Sequence, residues 1–331
     1  MTVYHRPPNS HKLLSGQALT INQKTLWLIL LLMFSLVSAD NIGGYAGGFL
    51  RIGTTARSLA MGGGLTAAID NGFAANNNPA SLAFIVKRRV TVLHHFLPMD
   101  RFFVSSSFAT HLPPSAGVGL ALIGAGVDNI DGRDGSGQHT KTLSTSEYAA
   151  YISFANELIP GISIGINVKV LYHTLAAGET ITGKGTGIDV GLLIHRFEKL
   201  DLGAVLQDFN AKYAWKTSKL YEEKGGDYEE KFPMQIRLGF SYHPGIFEVN
   251  GDYTFFYNGD VVISQRLRAG GEYQIMKKVA IRAGIDNFLP AIGGGLNYSL
   301  LQRDDTYVDY ALRLGRAGEG LSHIFTYVFT F

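Results

Sequence analysis

Histidine is the residue of this chain best suited to acid–base chemistry, and ten histidines occur among its 331 residues. A catalytic base must lie within hydrogen-bond reach of its nucleophile and be oriented by a third group. The candidates are scattered and none belongs to a recognisable acyl-transfer motif: His173, His195, His243 and His323. His94 and His95 are adjacent on an extended segment, so they point to opposite faces and cannot chelate one metal ion. The sequence therefore predicts no enzyme activity, no cofactor and no metal site.

Three other stretches suggest ligand or partner binding by composition alone. "GVGLALIGAG" (117–126) has the glycines of a dinucleotide fingerprint, but it alternates like a strand and no helix follows. The carboxylates of Asp128–Gly137 lack the spacing of a calcium loop, so a solvated loop is expected there and weak cation binding is the alternative. The most charged stretch, Lys216–Phe232, is either a mobile loop or a partner surface.

The N-terminus predicts export from the cytoplasm. Leu26–Val37 is a run of apolar residues, preceded by Lys24 and followed by the small residues Ser38 and Ala39. It is shorter than the ~20 residues of a membrane-spanning helix, and the layout is that of a secretory signal peptide covering residues 1–39. The alternative is a buried N-terminal helix. Cleavage would leave 26 of the 29 basic residues against all 27 acidic ones, a balance that gives no reason to expect a nucleic-acid partner.

From residue 87 to residue 331 the chain alternates between apolar and polar residues, which is the period of a β-strand. In "GISIGINVKVLY" (161–172), isoleucine and valine alternate with Ser163, Gly165, Asn167 and Lys169. A soluble β-sandwich also alternates, but these segments run to about 10–13 residues, and transmembrane strands need ~9–11. Aromatic residues also gather at segment ends. We therefore predict an all-β, antiparallel transmembrane barrel.

Turn signals divide this region into about fourteen strands, an even number as in bacterial barrels. They would begin near residues 87, 100, 114, 145, 161, 184, 199, 233, 246, 262, 278, 290, 304 and 320. Asp128–Thr145 and Asn210–Phe232 are expected to be extracellular loops. The tight turns at Pro160-Gly161, Pro244-Gly245 and Asn287–Pro290, or some of them, are expected on the periplasmic side. The chain ends with alternating aromatics, Tyr327, Phe329 and Phe331, resembling the signal read by the outer-membrane assembly machinery.

Residues 40–86 precede the first strand and do not alternate. Tyr45–Phe84 is rich in glycine and alanine, and a wide barrel needs its lumen either filled or left open as a channel. We expect this stretch to be a hatch or plug inside the barrel. Its candidate functional residues are Arg51, Arg57, Met61, Gly62, Gly63, Asp70, Asn78 and Pro79.

The stretch "FLRIGTTARSLAMGGGLTAAIDNGFAANNNPASLAF" (49–84) resembles the N-terminal signature of the PorV/PorQ family of outer-membrane proteins, within the FadL-like superfamily. The matching elements are Phe49–Gly53, Ala56-Arg57, Met61–Gly63, Asp70-Asn71 and Asn78–Ala80. Asn71 and Ser81 stand where the family usually has an acid and a glycine. "LGAVLQDFN" (202–210), "FPMQIRLGFSY" (232–242), "RAGGEYQI" (268–275) and "VAIRAGID" (279–286) resemble later elements of the family.

The resemblance implies a bacterial outer-membrane location, lipid and lipopolysaccharide around the barrel, and one of two roles. Members resembling PorV or PorQ serve type IX protein secretion by receiving or attaching exported cargo. Members resembling FadL move hydrophobic molecules through a hatch-gated lumen and a lateral opening. The first role is favoured because the predicted inward face carries many charges, which would pair across the lumen or line a polar path: Lys169, Arg237, Glu248, Asp252, Arg266, Arg268, Glu272, Arg282, Asp286, Asp309 and Arg313.

Overall fold

Alternation along each strand separates an apolar outer face from an inner face of small, polar and charged residues. The computed structural model describes residues 42–69, 73–177, 179–217, 226–298, 305–315 and 319–331. Along the fifth strand, Ile164 and Val168 are 44% and 46% exposed, whereas the intervening Asn167 is fully buried. The predicted signal peptide, residues 1–39, lies outside the described residues.

Fifteen strands are present in these ranges. They are β1 (Arg89–Phe96), β2 (Arg101–Leu112), β3 (Ala116–Arg133), β4 (His139–Ile159), β5 (Ile162–Ala177), β6 (Glu179–Ile194), β7 (Leu200–Lys216), β8 (Asp227–Lys231), β9 (Met234–Tyr242), β10 (Phe247–Asn258), β11 (Val261–Met276), β12 (Val279–Asp286), β13 (Leu289–Tyr298), β14 (Asp305–Leu314) and β15 (Leu321–Thr330).

The strands form one closed antiparallel sheet. β1 pairs with β15 and β6 pairs with β7, so the sheet has no free side edge. β8 and β9 share one position, because β7 pairs with β8 through Lys212–Lys216 and with β9 through Leu200–Gln207. In the part of the chain that the structure describes, the barrel thus has fourteen strand positions, and the predicted fold class and strand number are confirmed.

Most of the described residues in the two segments predicted as loops belong to strand extensions instead. β3 and β4 stay paired as far as Arg133 and His139, and β7 and β8 stay paired as far as Lys216 and Asp227. Cross-strand side-chain contacts continue the ladder there: Lys212 Nζ lies 2.6 Å from Glu229 Oε1, and Trp215 Nε1 donates to Glu230 Oε2 at 3.1 Å. The polar composition of these residues indicates that they lie outside an apolar environment. It does not indicate where the backbone pairing of the strands ends.

The three tight turns named above do not all lie at the same end of the barrel. In an up-and-down barrel successive turns alternate between the two ends. The turns at Pro160-Gly161 and Pro244-Gly245 therefore share one end, called here the short-turn end, while the turn before Leu289 lies at the other end with the long hairpins. None of the helices in the described ranges is long and apolar enough to cross a membrane.

Candidate functional site inside the barrel

The segment from Ile42 to Phe84, called here the N-terminal segment, folds into short helices with little exposed surface. Thr55 and Asn78 cap two of them, because their side chains accept hydrogen bonds from the backbone N–H of Ser58 and Ala80. The elements in chain order are a 3₁₀ helix, two α-helices and a second 3₁₀ helix: Gly48–Arg51, Ala56–Ala60, Ala74–Asn77 and Pro79–Phe84.

The N-terminal segment follows the inner wall of the barrel around much of its circumference. In chain order its hydrogen bonds reach β2, β15, β10, β6 and β5. Ser105 Oγ donates to Thr54 O (3.0 Å), Ala56 N to Thr326 Oγ1 (2.7 Å), Thr66 Oγ1 to Asp252 Oδ2 (2.6 Å), Asn78 Nδ2 to Leu192 O (3.0 Å) and Ser163 Oγ to Ala80 O (2.9 Å). The segment therefore occupies the lumen at the level of these contacts.

Glycines of the wall allow this close approach. A Cβ atom built on any of six wall glycines, called here the glycine belt, would overlap atoms of the N-terminal segment. The pairs are Gly117 with Leu82, Gly165 with Ala80, Gly191 with Asn78, Gly203 with Thr66, Gly270 with Met61, and Gly284 with Gly62. Backbone atoms of the segment are involved in five of the six pairs, so a side-chain rotation could not relieve the overlap.

The motif residues predicted for this segment are positioning groups. Met61 is fully buried against Gly270 and Gly284, while Gly62 and Gly63 have φ of +68° and +80°. Those angles are costly for residues with a Cβ, and a Cβ on Gly62 would also overlap the carbonyl of Ile285. Pro79 follows its cap Asn78, and Arg51 donates to the carbonyl oxygens of Ala46 and Tyr45. Asp70 lies outside the described residues.

Arg57 joins the N-terminal segment to the wall by charge. Its guanidinium lies 2.7 Å from Glu248 and 2.9 Å from Glu272. Glu272 in turn contacts Arg282, which also contacts Asp309, both at 2.5 Å. The result is a five-member ion network whose groups are largely shielded from solvent.

The structure places all eleven charged residues predicted for the lumen on the inner face. Ten of them lie on β9–β14, and this part of the inner surface is called here the charged wall. Two further groups complete it: Arg237 contacts Asp252 at 3.1 Å, and three guanidinium groups surround Asp286. These are Arg313 at 3.0 Å, Arg268 at 3.2 Å and Arg266 at 3.8 Å.

The eleventh charge, Lys169 on β5, forms a separate buried cluster. Its ammonium group contacts Asp189 at 2.7 Å and also contacts Asp208, and all three side chains are at most 2% exposed. β7 bulges here, with positive φ at Asp208 and Asn210 and shifted register against β6. Asp208 was not predicted because alternation assumes a regular register, which the bulge breaks. Asp189 lies between the exposed Ile188 and Val190, so ordinary alternation already places it on the inner face.

Part of the inner face of β1–β7 carries a cluster of apolar side chains, which is called here the apolar wall. Its fully buried side chains include Leu93, Phe103, Ile123, Leu171 and Tyr213, and they pack in one cluster with Phe49, Leu50 and Phe73 of the N-terminal segment. The lumen-facing residues predicted above are all charged, and this apolar wall was not predicted. The signal was present, because apolar residues fall on both faces of β3 and β7.

A cavity of about 470 Å³ lies above the N-terminal segment, at the end that carries the long hairpins. Its apolar lining comes mostly from the apolar wall and the start of the N-terminal segment: Ile42, Phe49, Ile52, Leu97, Phe102, Ala125 and Val127. Its polar lining includes Arg51, Arg101, Glu147, Arg266, Asp286 and Arg313. The size falls within the ~300–1,000 Å³ of small-molecule pockets, so one small molecule fits this space.

The wall is interrupted where β8 and β9 meet. Between the two ladders of β7, Phe232 N donates to Ala211 O at 2.9 Å, but the regular register stops at Lys212 on one side and Gln207 on the other. A depression of about 450 Å³ lies at this point, lined by Phe209, Asn210, Met234 and Tyr257 among others. Phe232 is buried beside it, against Gly47 of the N-terminal segment.

Two of the histidines described above as scattered are in fact brought together. His195 Nδ1 lies 2.6 Å from Asp201 Oδ1, and His243 Nε2 lies 2.9 Å from Asp201 Oδ2. His173 packs against Tyr213 and Trp215, and His323 contacts Tyr310. The prediction of scattered histidines is therefore wrong for His195 and His243, which follow the ends of β6 and β9 on either side of β7, although the sequence separates them by 48 positions.

The last strand closes the barrel with its aromatic side chains outside. Tyr327, Phe329 and Phe331 are 43%, 39% and 53% exposed. β15 pairs with β1 from Arg89↔Thr330 to Phe96↔His323. The three aromatic residues therefore lie on the outer face, at the seam between the first and last strands; their role as an assembly signal stays a prediction.

No protein-family model matches this chain, and no curated protein sequence matches it. Solved structures do resemble its fold. The Ralstonia pickettii toluene transporter TbuX is similar with a TM-score of 0.60 and 14% identity, over 84% of this chain and 98% of the other. The Pseudomonas putida toluene transporter TodX gives 0.59 and 15%, over 84% and 99%. A Pseudomonas aeruginosa FadL homologue gives 0.57 and 11%, over 84% and 98%.

Proposed function

We propose that this protein is an outer-membrane barrel that admits small hydrophobic molecules. The observation that carries the proposal is the cavity of about 470 Å³ bounded by the apolar wall, the charged wall and the start of the N-terminal segment. Burial of apolar surface is the main driving force for binding such a molecule. Polar groups line both sides of the cavity, with Arg51, Arg101 and Glu147 on one side and Arg266, Asp286 and Arg313 on the charged wall, and they would orient a solute that carries one polar end.

The similar solved structures support this choice over protein secretion. Two of the three are described as toluene transporters and the third as a FadL homologue. At 11–15% identity they establish the fold only, so the class of solute is our inference from the cavity. The type IX role stays a prediction from the PorV/PorQ resemblance, and none of these comparisons supports it.

The outer face supports the proposed location. Isoleucine, leucine, valine and phenylalanine side chains are exposed on many strands. Examples are Leu122, Ile152, Val170 and Ile292, which are 57–66% exposed. Lipid tails would cover such a surface, and a closed barrel leaves no unpaired edge in lipid. Bacterial barrels have short periplasmic turns and longer extracellular loops. We therefore place the cavity at the extracellular end, with lipopolysaccharide as its lipid neighbour.

The interruption between β8 and β9 gives a route that avoids the closed lower lumen. A solute in the cavity reaches the bilayer sideways if Phe232 moves, because few ladder hydrogen bonds cross the wall there. The N-terminal segment then need not leave its glycine belt. Under this proposal the segment is a fixed floor, and its movement as a hatch is the alternative.

Binding can be tested with the purified full chain in detergent and the apolar fluorophore N-phenyl-1-naphthylamine, displaced by toluene or decanoate. Ala125→Phe puts an aromatic ring into the cavity, so the rings of the fluorophore can no longer be buried there. Binding is expected to weaken by at least about tenfold, because burial of one aromatic group contributes about 1.5–3 kcal/mol. Ala150→Phe on the outer face of β4 is the matched control. Equal binding by both variants would mean that the fluorophore does not use the cavity.

The role of the N-terminal segment as a floor can be tested separately by conductance. Deleting residues 45–84 is expected to turn a closed barrel into a conducting one, and no change would contradict its role in closing the lumen.

Mass spectrometry of what the tagged chain retains from outer membranes distinguishes transport of hydrophobic molecules from protein secretion. Bound apolar molecules support this proposal, whereas exported proteins sharing a sorting domain would support secretion instead.

A further inference from the structure

Three side chains at the short-turn end meet around one point. His195 follows the end of β6, Asp201 lies near the start of β7, and His243 follows the end of β9. One ring nitrogen from each histidine and one carboxylate oxygen of Asp201 lie within 4.8 Å of one another. The proposed function does not use this cluster.

The backbone holds these residues in place independently of their side chains. His195 N donates to Gly161 O at 2.6 Å, and His243 N donates to Lys199 O at 2.9 Å. Asp201 is paired with Ser241 in the ladder between β7 and β9. Three adjacent strand positions therefore fix the three donors, and the arrangement is preorganised.

Asp201 needs positive charge nearby. Its side chain is only 3% exposed, and in the part of the chain that the structure describes its ion pairs are with the two imidazoles. A buried carboxylate is costly unless it is paired or coordinates a metal. The two histidines are about one-third exposed, so the side of the cluster away from Asp201 is accessible to an ion from solution.

We propose that His195, Asp201 and His243 bind a first-row divalent transition metal ion, with Zn²⁺ as the reference ion. Two imidazoles and one carboxylate are a ligand set that Zn²⁺ uses, and three protein ligands leave a fourth position for water or another donor. A tetrahedral centre with ~2.1 Å bonds places its ligand atoms ~3.4 Å apart. The two histidine–carboxylate contacts are 2.6 and 2.9 Å and all three donor atoms lie within 4.8 Å of one another, so the tetrahedral spacing lies within the range that side-chain movements of ~1 Å can reach.

The site would tie the barrel rim to the end of the N-terminal segment. The ring of Phe84, the last residue of that segment, packs edge-on against His195 with centroids 5.4 Å apart. An ion at this point cross-links the ends of β6, β7 and β9 and fixes the imidazole that Phe84 contacts. Metal binding is therefore expected to protect the segment's exit into β1 as well as the rim.

The test uses the full chain, purified in detergent and stripped with a chelator, and titrated with ZnCl₂ by calorimetry. We expect one Zn²⁺ per chain, and visible d–d absorption typical of tetrahedral geometry when Co²⁺ replaces it. His195→Ala, His243→Ala and Asp201→Asn should each weaken binding by at least about tenfold, since even outer partners of metal ligands contribute 10–100-fold.

The chain supplies a matched control. His139 Nδ1 lies 2.6 Å from Asp131 Oδ1 on the exposed β3–β4 hairpin, with no second imidazole in the pair. His139→Ala should leave Zn²⁺ binding unchanged. Absence of stoichiometric binding by the unmodified chain would overturn the proposal, as would equal losses in the His139 and His243 variants. Heat-modifiable migration on gels verifies that each variant is folded.

Discussion

The apolar wall and the charged wall hold the same N-terminal segment by different means. In the apolar wall, Phe103 and Leu171 belong to one buried cluster with Phe49 of the segment. Hydrogen bonds from polar neighbours such as Ser105 and Ser163 on the same strands add to this packing. On β9–β14, Glu248 and Asp252 bind Arg57 and Thr66 through charge and hydrogen bonds. The apolar wall can accept a hydrophobic guest without losing a specific partner. The charged wall cannot exchange partners without leaving a buried charge unpaired.

The charged wall is expected to give the largest effect. Arg282→Met removes the cation between Glu272 and Asp309, leaving Asp309 buried at 4% exposure. An uncompensated buried charge of this kind costs about 4 kcal/mol. The free energy of unfolding can be measured by urea titration in lipid vesicles, with Trp215 fluorescence as the signal. Adding Asp309→Leu should restore much of the loss, and failure of that rescue would show that Arg282 acts mainly by packing.

The apolar wall should respond through its volume instead. Phe103→Ala leaves a cavity at a fully buried position and should cost about 3 kcal/mol. Phe108→Ala on the same strand is the matched control, because that ring is 36% exposed on the outer face. Phe103→Ala leaves no unpaired charge, so a second substitution that removes a charge, such as Asp309→Leu, should not restore the lost stability. If both phenylalanines cost the same, the distinction between inner packing and lipid contact is wrong.

The glycine belt should show an effect of intermediate size in either wall. A Cβ on Gly270 overlaps the backbone of Met61, whereas a Cβ on its neighbour Gly271 has Glu248 O at 3.4 Å as its nearest contact. Gly270→Ala is therefore expected to cost about 2 kcal/mol through overpacking, and Gly271→Ala much less. The same titration measures both. Equal costs would indicate that the strand, and not the N-terminal segment, requires glycine.

The smallest effect is expected outside both walls. Asp131 on the β3–β4 hairpin is fully solvated, and hydrogen bonds from His139 and then Arg133 lower the pKa of its carboxyl group below the ordinary value. Any stabilisation from this carboxylate is present above the ordinary pKa and is lost as pH falls through the lowered one. Asp131→Asn should leave the unfolding midpoint at neutral pH unchanged. A measurable shift would assign the hairpin a structural role.

Regular alternation made most of the barrel predictable. Predicted strand starts such as 161, 199 and 246 fall within one residue of Ile162, Leu200 and Phe247. The starts near 145 and 184 are late by six and five residues respectively, because β4 and β6 begin in polar extensions at His139 and Glu179. The polarity of a residue depends on whether lipid or water surrounds the strand, whereas backbone pairing continues from the apolar part of the strand into its polar part.

Contacts inside the barrel were predictable only in part. Parity alone placed Arg237 and Arg282 on the inner face, since charges cannot face lipid. It could not pair Lys169 with Asp208, whose bulge breaks the period, nor His195 with His243, because strand neighbours depend on the closed order of the sheet. The apolar wall was missed because a residue such as Phe103 is equally suited to either face.

The hydrogen bond from Ala56 to Thr326 sets an order of events during folding. Ala56 precedes every strand and Thr326 belongs to the last one, 270 residues later. Bringing such distant residues together is entropically unfavourable until the intervening chain is ordered. We therefore expect the N-terminal segment to be within the nascent sheet when β15 docks on β1, because this contact forms only when the first and last parts of the barrel are together. The N-terminal segment therefore completes its contacts only when β15, the last strand of the chain, pairs with β1.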